Sequence, residues 1–221
     1  MSNNNKNSLF DLDDGCKRDP KPVGHIHTFY LSGEITDSKD YIEWFEAIRN
    51  ASETDAIKIH INSPGGNLFT AIQFMRVLAE SDAMIIASVE GACMSAATMI
   101  FLCADKFEIS EHSMFMFHNY SGIAVGKGGE MYDNIVHERK WSDKIMRKIY
   151  DGFLTKAEIE SILNNKDIWM EGEEVIKRLK SKVLGNIEQT NAKPVRKQNG
   201  TKPTTKPSAK PATKPRTKPK A

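Results

Sequence analysis

Cysteines and long apolar runs are scarce in this chain of 221 residues. Its three cysteines, Cys16, Cys93 and Cys103, follow neither a disulfide framework nor a metal-binding pattern. No apolar stretch approaches the roughly 20 residues that a membrane-spanning helix requires. Residues 1–6 are polar and do not begin a secretion signal. These absences predict a cytoplasmic protein with reduced thiols and no membrane segment.

Acidic residues are absent from residues 192–221, which hold ten of the 31 lysines and arginines. Residues 1–191 carry 21 basic against 29 acidic side chains, a formal net charge of −8. Six of the nine prolines also lie in the C-terminal stretch, in a repeated Lys-Pro step. Because proline interrupts helices and little apolar surface is present, residues 186–221 are predicted to form a disordered basic tail. Such a tail can contact nucleic acid or an acidic surface non-specifically, or simply stay solvated.

Strand and helix patterns alternate in the middle of the chain. Residues 27–32, 56–61 and 83–89 predict strands, and a helical period recurs in the two stretches between them. This alternation predicts an α/β fold around a mostly parallel, buried sheet. The predicted inward faces are Tyr41, Trp44, Phe45 and Ile48 in the first helix, and Leu68, Ile72, Met75 and Leu78 or Ala79 in the second.

Three more helices are predicted farther along the chain. Residues 95–104 are apolar nearly all round and predict a buried helix whose positive end would favour an oxyanion. Residues 130–153 predict a long charged helix, and residues 155–164 a short one with a Thr155–Glu158 capping box. The near-helical apolar positions of the long helix are Met131, Ile135, Trp141, Ile145 and Ile149.

Ser95 is the candidate nucleophile because it lies among small residues between a strand-like run and the predicted buried helix. Small neighbours let a substrate carbonyl approach, and the next backbone N–H can donate to an oxyanion. Taken alone, such a serine is more often a small helix-packing residue. Cys93 offers a rival thiol, but no nearby charge is evident that would lower its pKa.

Possible partners of Ser95 occur at three distant places. His118 ends the strand-like residues 113–119, and Asp167 precedes the apolar residues 168–170. Residues 61–67 contain adjacent glycines that allow close backbone approach. Singly, these residues read as a buried histidine, a surface acid and a tight turn. Together they provide a base, an orienting carboxylate and a donor loop.

Five separated blocks resemble successive motifs of the Clp protease proteolytic subunit, in that family's order and over roughly residues 28–183. The blocks are residues 29–35, 61–66, 91–95, 116–118 and 167–170. The resemblance implies a serine endopeptidase in which Ser95 is the nucleophile, His118 the general base and Asp167 the residue that holds the imidazole. It also implies an oxyanion hole made by the backbone N–H groups of Gly66 and Ala96.

The resemblance further implies a crotonase-like α/β spiral of ββα units over residues 28–185, with a protruding handle helix. Family members assemble as seven-membered rings stacked around a chamber that admits unfolded polypeptide. In that family a strand at the position of Ile123, Ala124 and Val125 pairs with extended substrate. No cofactor and no metal ion are implied.

The chain departs from the family pattern in places. Residues 1–27 do not contain the usual N-terminal segment that contacts the unfoldase, so they are predicted to be flexible and docking to a Clp-type ATPase stays open. Asn119-Tyr120 replaces the family's Gln-Pro, and Asn165-Lys166 replaces an acid-base pair. This divergence resembles shortened phage-encoded relatives, which would place the protein in the cytoplasm of a bacterial host.

Two other functions stay open on the sequence. An acyl-CoA enzyme of the crotonase fold would use a similar oxyanion hole without needing Ser95, His118 and Asp167 together. A catalytically silent scaffold subunit of a mixed ring would keep the motif blocks and the subunit contacts. Only the geometry and reactivity of Ser95 distinguish these alternatives from a peptidase.

Overall fold

The protein is described by a computed structural model over residues 24–191, with side chains as far as residue 181. Most of the predicted N-terminal segment and residues 192–221 of the predicted tail lie outside the described residues. Strands are β1 (Ile26–Ser32), β2 (Ala56–Ser63), β3 (Met84–Met94), β4 (Lys106–Ile109), β5 (Met114–Phe117) and β6 (Ile168–Glu171). Helices are α1 (Ile42–Asn50), α2 (Leu68–Glu80), α3 (Ala96–Phe101), α4 (Gly128–Tyr150), α5 (Lys156–Leu163) and α6 (Gly172–Asn191).

The six strands form one mixed sheet in the order β1-β2-β3-β5-β6, with β4 also paired to β3. All pairs are parallel except β5 with β6. The predicted α/β alternation and mostly parallel sheet are therefore confirmed. The outer face of the sheet is covered less than the inner face: alternate residues of the edge strand β1 are exposed, and Lys58 and His60 of β2 are half-buried.

The long strand β3 pairs with two neighbouring strands in succession along its length. Residues 86–89 pair with β4, and residues 92–94 pair with β5. The hydroxyl of Ser113 donates to the carbonyl of Val89 at 3.1 Å and fixes the point where one neighbour replaces the other. As a result, β5 runs beside the C-terminal end of β3, next to Ser95.

The core lies between the inner sheet face and helices α1, α2 and α3, and it extends to buried residues of α4, α5 and α6. In α1 the predicted inward face is confirmed, with Trp44 half-buried and the other three residues buried. In α2 the predicted face is confirmed in part: Leu78 is buried and Leu68, Ile72 and Met75 are half-buried against the core. The most buried large residues also include Phe74 and Val77, which were not predicted, and Ala79 is exposed. Because α2 is apolar over much of its circumference, periodicity alone does not select the face that packs.

Helix α3 is shorter than predicted, ending at Phe101 rather than Ala104, and all six of its residues are buried. Helix α4 begins at Gly128 and ends at Tyr150, whereas residues 130–153 were predicted. Its first half is largely exposed, and its buried residues, Ser142, Met146 and Tyr150, all lie in the second half. The predicted capping box at the start of α5 is confirmed. No helix within residues 24–191 has both the length and the apolarity needed to cross a membrane.

Candidate active site

Ser95 occupies a sharp turn between β3 and α3. Its backbone has φ 53° and ψ −127°, a region that non-glycine residues rarely adopt. Its N–H donates to the carbonyl of Met116 at 2.8 Å, which ties the turn to β5. The turn points the Ser95 hydroxyl away from the core that buries α3 and toward the end of β5. A strained backbone persists only where its surroundings hold it, and such residues cluster at active sites.

His118 reaches Ser95 because of the pairing between β3 and β5. Met94 lies opposite Met116 in this parallel pair, so the residue after β5 lies beside the residue after β3. His118 Nε2 is 2.6 Å from Ser95 Oγ, which is hydrogen-bond distance. The His118 side chain is 24% exposed, so it faces the open side of the turn while its strand is packed in the core.

Asp167 is brought to His118 by the antiparallel pairing of β5 and β6. Phe117 lies opposite Ile168, and continuing this register by one residue sets His118 against Asp167. Asp167 Oδ1 is 4.0 Å from His118 Nδ1, within ion-pair range but longer than a hydrogen bond. The Asp167 side chain is 49% exposed. The carboxylate therefore lies at the rim of the site, on the opposite side of His118 from Ser95.

The glycine turn after β2 packs directly against the Ser95 turn. Ile35 donates its N–H to the carbonyl of Gly65 and accepts from the N–H of Asn67, both at 2.8 Å. Gly65 has φ +94°, and a Cβ there would lie 2.7 Å from Ser95 Cβ. Only glycine allows this close approach. It brings Gly66, which also has a positive φ, to the same cavity as Ser95 and Ala96.

Two backbone N–H groups beside Ser95 at this cavity have no acceptor in the described part of the chain. They belong to Gly66 and to Ala96, the first residue of α3. Each lies next to Ser95 either in space or in the chain. Free N–H groups beside a serine hydroxyl are the arrangement that stabilises the oxyanion formed when the serine attacks a carbonyl.

Ser63 and Cys93 lie near Ser95 but have other roles. The hydroxyl of buried Ser63 accepts the N–H of Gly65 at 3.1 Å, so Ser63 shapes the glycine turn. Cys93 faces the core and is fully buried, and burial raises the pKa of its thiol. A neutral, inaccessible thiol is a poor nucleophile. Both observations leave the half-buried Ser95, which contacts His118, as the candidate nucleophile among these three residues.

A cavity of about 330 Å³ opens next to Ser95. Its walls come from the start of α2, from residues 118–123 and from the second half of α4. On α4 the wall includes Trp141, Met146 and Tyr150, and the Trp141 ring stacks on Phe69 with centroids 5.4 Å apart. The sequence pattern did not mark Phe69, because a lone exposed aromatic carries no periodic signal. Among residues 24–181, no three His, Cys, Asp or Glu side chains are arranged to hold a metal ion.

Asn119 stands where the family pattern has the Gln of a Gln-Pro pair, and its side chain accepts two hydrogen bonds beside His118. Its Oδ1 accepts the hydroxyl of Ser142 at 3.0 Å and the backbone N–H of Tyr120 at 2.9 Å. This links the end of β5 to α4. No simple sequence pattern would have identified this contact, because its two side chains are 23 residues apart.

The expected substrate-binding strand is absent from the free chain. Residues 121–125 form neither strand nor helix, and Ile123 and Val125 are 95% and 90% exposed. The expected pairing of Ile123, Ala124 and Val125 with extended substrate stays a prediction. A strand needs a neighbour for its backbone hydrogen bonds, and the described residues offer none at this position.

A family model described as Clp protease matches residues 27–178. This chain belongs to the Clp protease family. No curated protein gives a significant match to it. The Clp protease match covers all five sequence blocks and every element from β1 to the first turns of α6. Together with the mixed sheet and its helices, it confirms the predicted crotonase-like α/β fold. The Clp protease family is a family of peptidases, and Ser95, His118 and Asp167 all lie within the matched residues.

Proposed function

We propose that this member of the Clp protease family is a serine endopeptidase that hydrolyses unfolded polypeptides, with Ser95, His118 and Asp167 as its catalytic residues. The observation that carries the proposal is the 2.6 Å contact between Ser95 Oγ and His118 Nε2. A serine hydroxyl is a weak nucleophile at neutral pH unless a neighbouring base takes its proton. The contact supplies that base in hydrogen-bond range.

In the first half of the reaction, Ser95 Oγ attacks the carbonyl carbon of the scissile peptide while its proton passes to His118 Nε2. The carbonyl oxygen becomes an oxyanion that accepts from the free N–H groups of Gly66 and Ala96. His118 then gives the proton to the leaving amine, and the C–N bond breaks. The N-terminal part of the substrate stays attached to Ser95 as an ester.

In the second half, water attacks the ester carbon and gives a proton to His118. The second tetrahedral intermediate collapses, the acid product leaves and the proton returns to Ser95 Oγ. Asp167 stabilises the imidazolium in both halves through the His118 Nδ1–H. This requires the carboxylate to approach by about 1 Å, in line with catalytic hydrogen bonds that are long in free enzymes and tighten with substrate.

Substrate is held by the cavity and by the exposed segment before α4. The cavity wall on α4 accepts an apolar side chain next to the scissile bond. Residues 123–125 pair as a strand with extended substrate, which satisfies backbone groups that are free in the isolated chain. This mode of binding selects unfolded polypeptide, because a folded chain has few free strand edges.

The proposed enzyme works as stacked rings around a chamber. Apolar side chains of the first half of α4, among them Tyr132 and Ile135, are exposed in the isolated chain. Burial of these side chains between subunits would explain their exposure here. The bacterial cytoplasm is the proposed location, and a Clp-type ATPase is the proposed feeder of substrate. Light scattering of the purified full chain tests the assembly.

The two alternatives predict different behaviour at Ser95. An acyl-CoA enzyme of the crotonase type has no use for a serine in contact with a histidine, so the 2.6 Å contact disfavours it. A silent scaffold subunit would keep the contact but fail to react. The deciding measurement is therefore the reactivity of Ser95 itself.

The test is labelling of the assembled protein with a fluorophosphonate probe, followed by peptide mapping and by hydrolysis of a fluorogenic peptide. We expect an adduct on Ser95 and hydrolysis that Ser95→Ala abolishes. Ser121→Ala is the matched control, since Ser121 lines the same cavity without contacting His118. Equal labelling or hydrolysis in Ser95→Ala, or no adduct in the wild type, would refute the peptidase.

A further inference from the structure

A buried chain of hydroxyl groups leads from α4 to the Ser95 turn. Thr98 Oγ1 donates to the carbonyl of Ser95 at 2.6 Å, and the Tyr150 hydroxyl lies 2.9 Å from Thr98 Oγ1. Thr98 has one hydroxyl proton, which it gives to Ser95, so the Tyr150 hydroxyl donates to Thr98. Thr98 is fully buried and Tyr150 is 1% exposed. These two hydrogen bonds are therefore shielded from water, and each hydroxyl donates toward Ser95.

The hydrogen bond from Thr98 to the Ser95 carbonyl controls the orientation of one peptide unit. The Ser95 carbonyl and the Ala96 N–H belong to the same planar trans peptide, so they point in opposite directions. Fixing the carbonyl oxygen against Thr98 therefore fixes the direction of the Ala96 N–H. That N–H has no acceptor in the described part of the chain, and Ala96 lines the cavity beside Ser95.

The Ser95 turn depends on such support because its backbone is strained, with φ 53°. On one side the Ser95 N–H is held by Met116, and on the other side the carbonyl receives both the hydroxyl and the N–H of Thr98. Hydrogen bonds to a carbonyl also polarise its peptide and strengthen the N–H as a donor. Both effects act on the same group, the Ala96 N–H.

We propose that Thr98 and Tyr150 are positioning residues that aim and strengthen the Ala96 N–H as an oxyanion donor. The inference rests on the proposed peptidase function, since it assigns a role within the same site. It also gives α4 a part in catalysis: Tyr150 is the last residue of that helix, so the placement of α4 sets the oxyanion donor. Sequence patterns did not indicate either residue.

A role in packing alone can be separated from this one. The Tyr150 ring packs edge-on against Phe117, with centroids 5.5 Å apart. Tyr150→Phe keeps that ring contact and removes only the hydroxyl. Thr98→Val removes the other hydroxyl at nearly constant volume, and Thr98→Ser restores it. Tyr41→Phe is the matched control, because Tyr41 is also buried and its hydroxyl accepts the N–H of Thr36 away from the cavity.

The experiment measures kcat and KM for a fluorogenic peptide and the inhibition constant of a peptide aldehyde, whose adduct with serine carries an oxyanion. Losing a whole oxyanion donor lowers kcat by about 10²–10³-fold, so a misaimed donor is expected to lower it by about tenfold in Thr98→Val. Tyr150→Phe is expected to lose about threefold, since it only weakens the bond that Thr98 makes. KM should change less than twofold, and binding of the aldehyde should weaken in parallel with the fall in kcat. Thr98→Ser and Tyr41→Phe should resemble the wild type.

Two results would overturn the inference while leaving the peptidase intact. One is unchanged kcat and aldehyde affinity in Tyr150→Phe and Thr98→Val when wild-type hydrolysis depends on Ser95. The other is a fall in kcat with unchanged aldehyde affinity and a lowered melting temperature, which indicates a packing role. If Thr98→Val does not fold, Tyr150→Phe and Thr98→Ser decide alone. Hydrolysis that Ser95→Ala does not reduce, or an inactive wild type, would refute the proposed function and this inference with it.

Discussion

The two sides of His118 are built differently. On the Ser95 side, the turn is held by Met116 and Thr98, the glycine turn packs against it, and the contact to His118 is 2.6 Å. On the Asp167 side, the carboxylate is 49% exposed and 4.0 Å from the imidazole. Residues 121–125, the first three of which line the cavity beside Ser95, have no regular structure.

This difference separates the part of the site that is already ordered in the single chain from the part that is not. The Ser95 side is fixed by strand pairing and buried hydrogen bonds, which cost nothing further when substrate arrives. The Asp167 side and the segment before α4 have free backbone and charged groups that substrate or a neighbouring subunit can order. In the proposed enzyme, the nucleophile is therefore preorganised while the substrate-binding side is completed on assembly or binding.

The largest expected effect comes from His118→Ala, which removes the group shared by both sides. We expect kcat to fall by about 10⁴-fold or more, because Ser95 loses its base. Fluorophosphonate labelling should disappear as well, while circular dichroism stays unchanged. His112→Ala, at an exposed histidine six residues earlier, should retain full activity. Labelling of Ser95 at the wild-type rate in His118→Ala would contradict the assigned base.

Gly65→Ala tests the packed side. The new Cβ would lie 2.7 Å from Ser95 Cβ and 3.0 Å from the Ala96 nitrogen, at a backbone φ of +94°. The glycine turn must then move away from Ser95, and a displacement on the order of 1 Å costs about 10²-fold in kcat. Gly122→Ala is the control, since a Cβ there meets no atom within 4 Å. Equal kcat for the two variants would show that the close approach is dispensable.

Asp167→Asn tests the exposed side. Because the carboxylate is half exposed and not in hydrogen-bond contact with His118, we expect a loss of about 10–10²-fold in kcat, well below that of His118→Ala. Asp133→Asn, at an exposed acid on α4, should have no effect. A loss as large as that of His118→Ala would mean that Asp167 is fully engaged in the working enzyme, and the contrast between the two sides would not hold.

The smallest expected effect concerns an ion pair between α5 and α6, the helices that precede and follow Asp167 in the chain. Glu158 on α5 forms a two-pronged pair with Arg178 on α6, both bonds at 2.8 Å. The guanidinium of Arg178, helped by bonds from Thr155, lowers the pKa of Glu158 from its ordinary 4.5 to about 2. We expect Glu158→Gln to reduce the free energy of unfolding by about 1–2 kcal/mol at neutral pH.

The pH dependence of this stabilisation follows from the lowered pKa. It is fully present above pH about 4.5 and is lost as the pH falls toward about 2, where the folded-state carboxylate takes up its proton. Chemical denaturation of wild type and Glu158→Gln across this range should show the two curves converging at acid pH. Glu173→Gln, at an exposed acid of the same helix α6, should follow the wild type. A gap that stays constant from pH 7 to pH 2 would exclude the ion pair as its cause.

Elements of the fold could be predicted from the sequence wherever one local pattern was strong. Strands β1, β2, β3 and β5, the capping box at Thr155 and the apolar face of α1 follow from local pattern, whereas the short strands β4 and β6 were not predicted. The face of α2 followed only in part, because an apolar helix has no single preferred side until the sheet it packs on is known. No strand is present near Ile123, because strand pairing depends on a neighbour and the described residues offer none there.

The candidate site divides in the same way. Ser95, His118, Asp167 and the glycine turn could be selected from the sequence because each lies in a motif block. Thr98, Tyr150, Asn119 and Phe69 could not, since their roles arise from contacts between α2, α3, β5 and α4 that are far apart in the chain. Residue type and local spacing carry no information about such contacts.

By itself the sequence determined the residue types of the site, the alternation of strands and helices, and the small residues that let backbone approach backbone at Gly65 and Ser95. Only the tertiary structure decided that His118 touches Ser95 at 2.6 Å while Asp167 stays at 4.0 Å. These distances are set by strand register. β5 runs parallel to β3 and antiparallel to β6, and pairing between strands is fixed by burial of the whole inner sheet face rather than by any one motif.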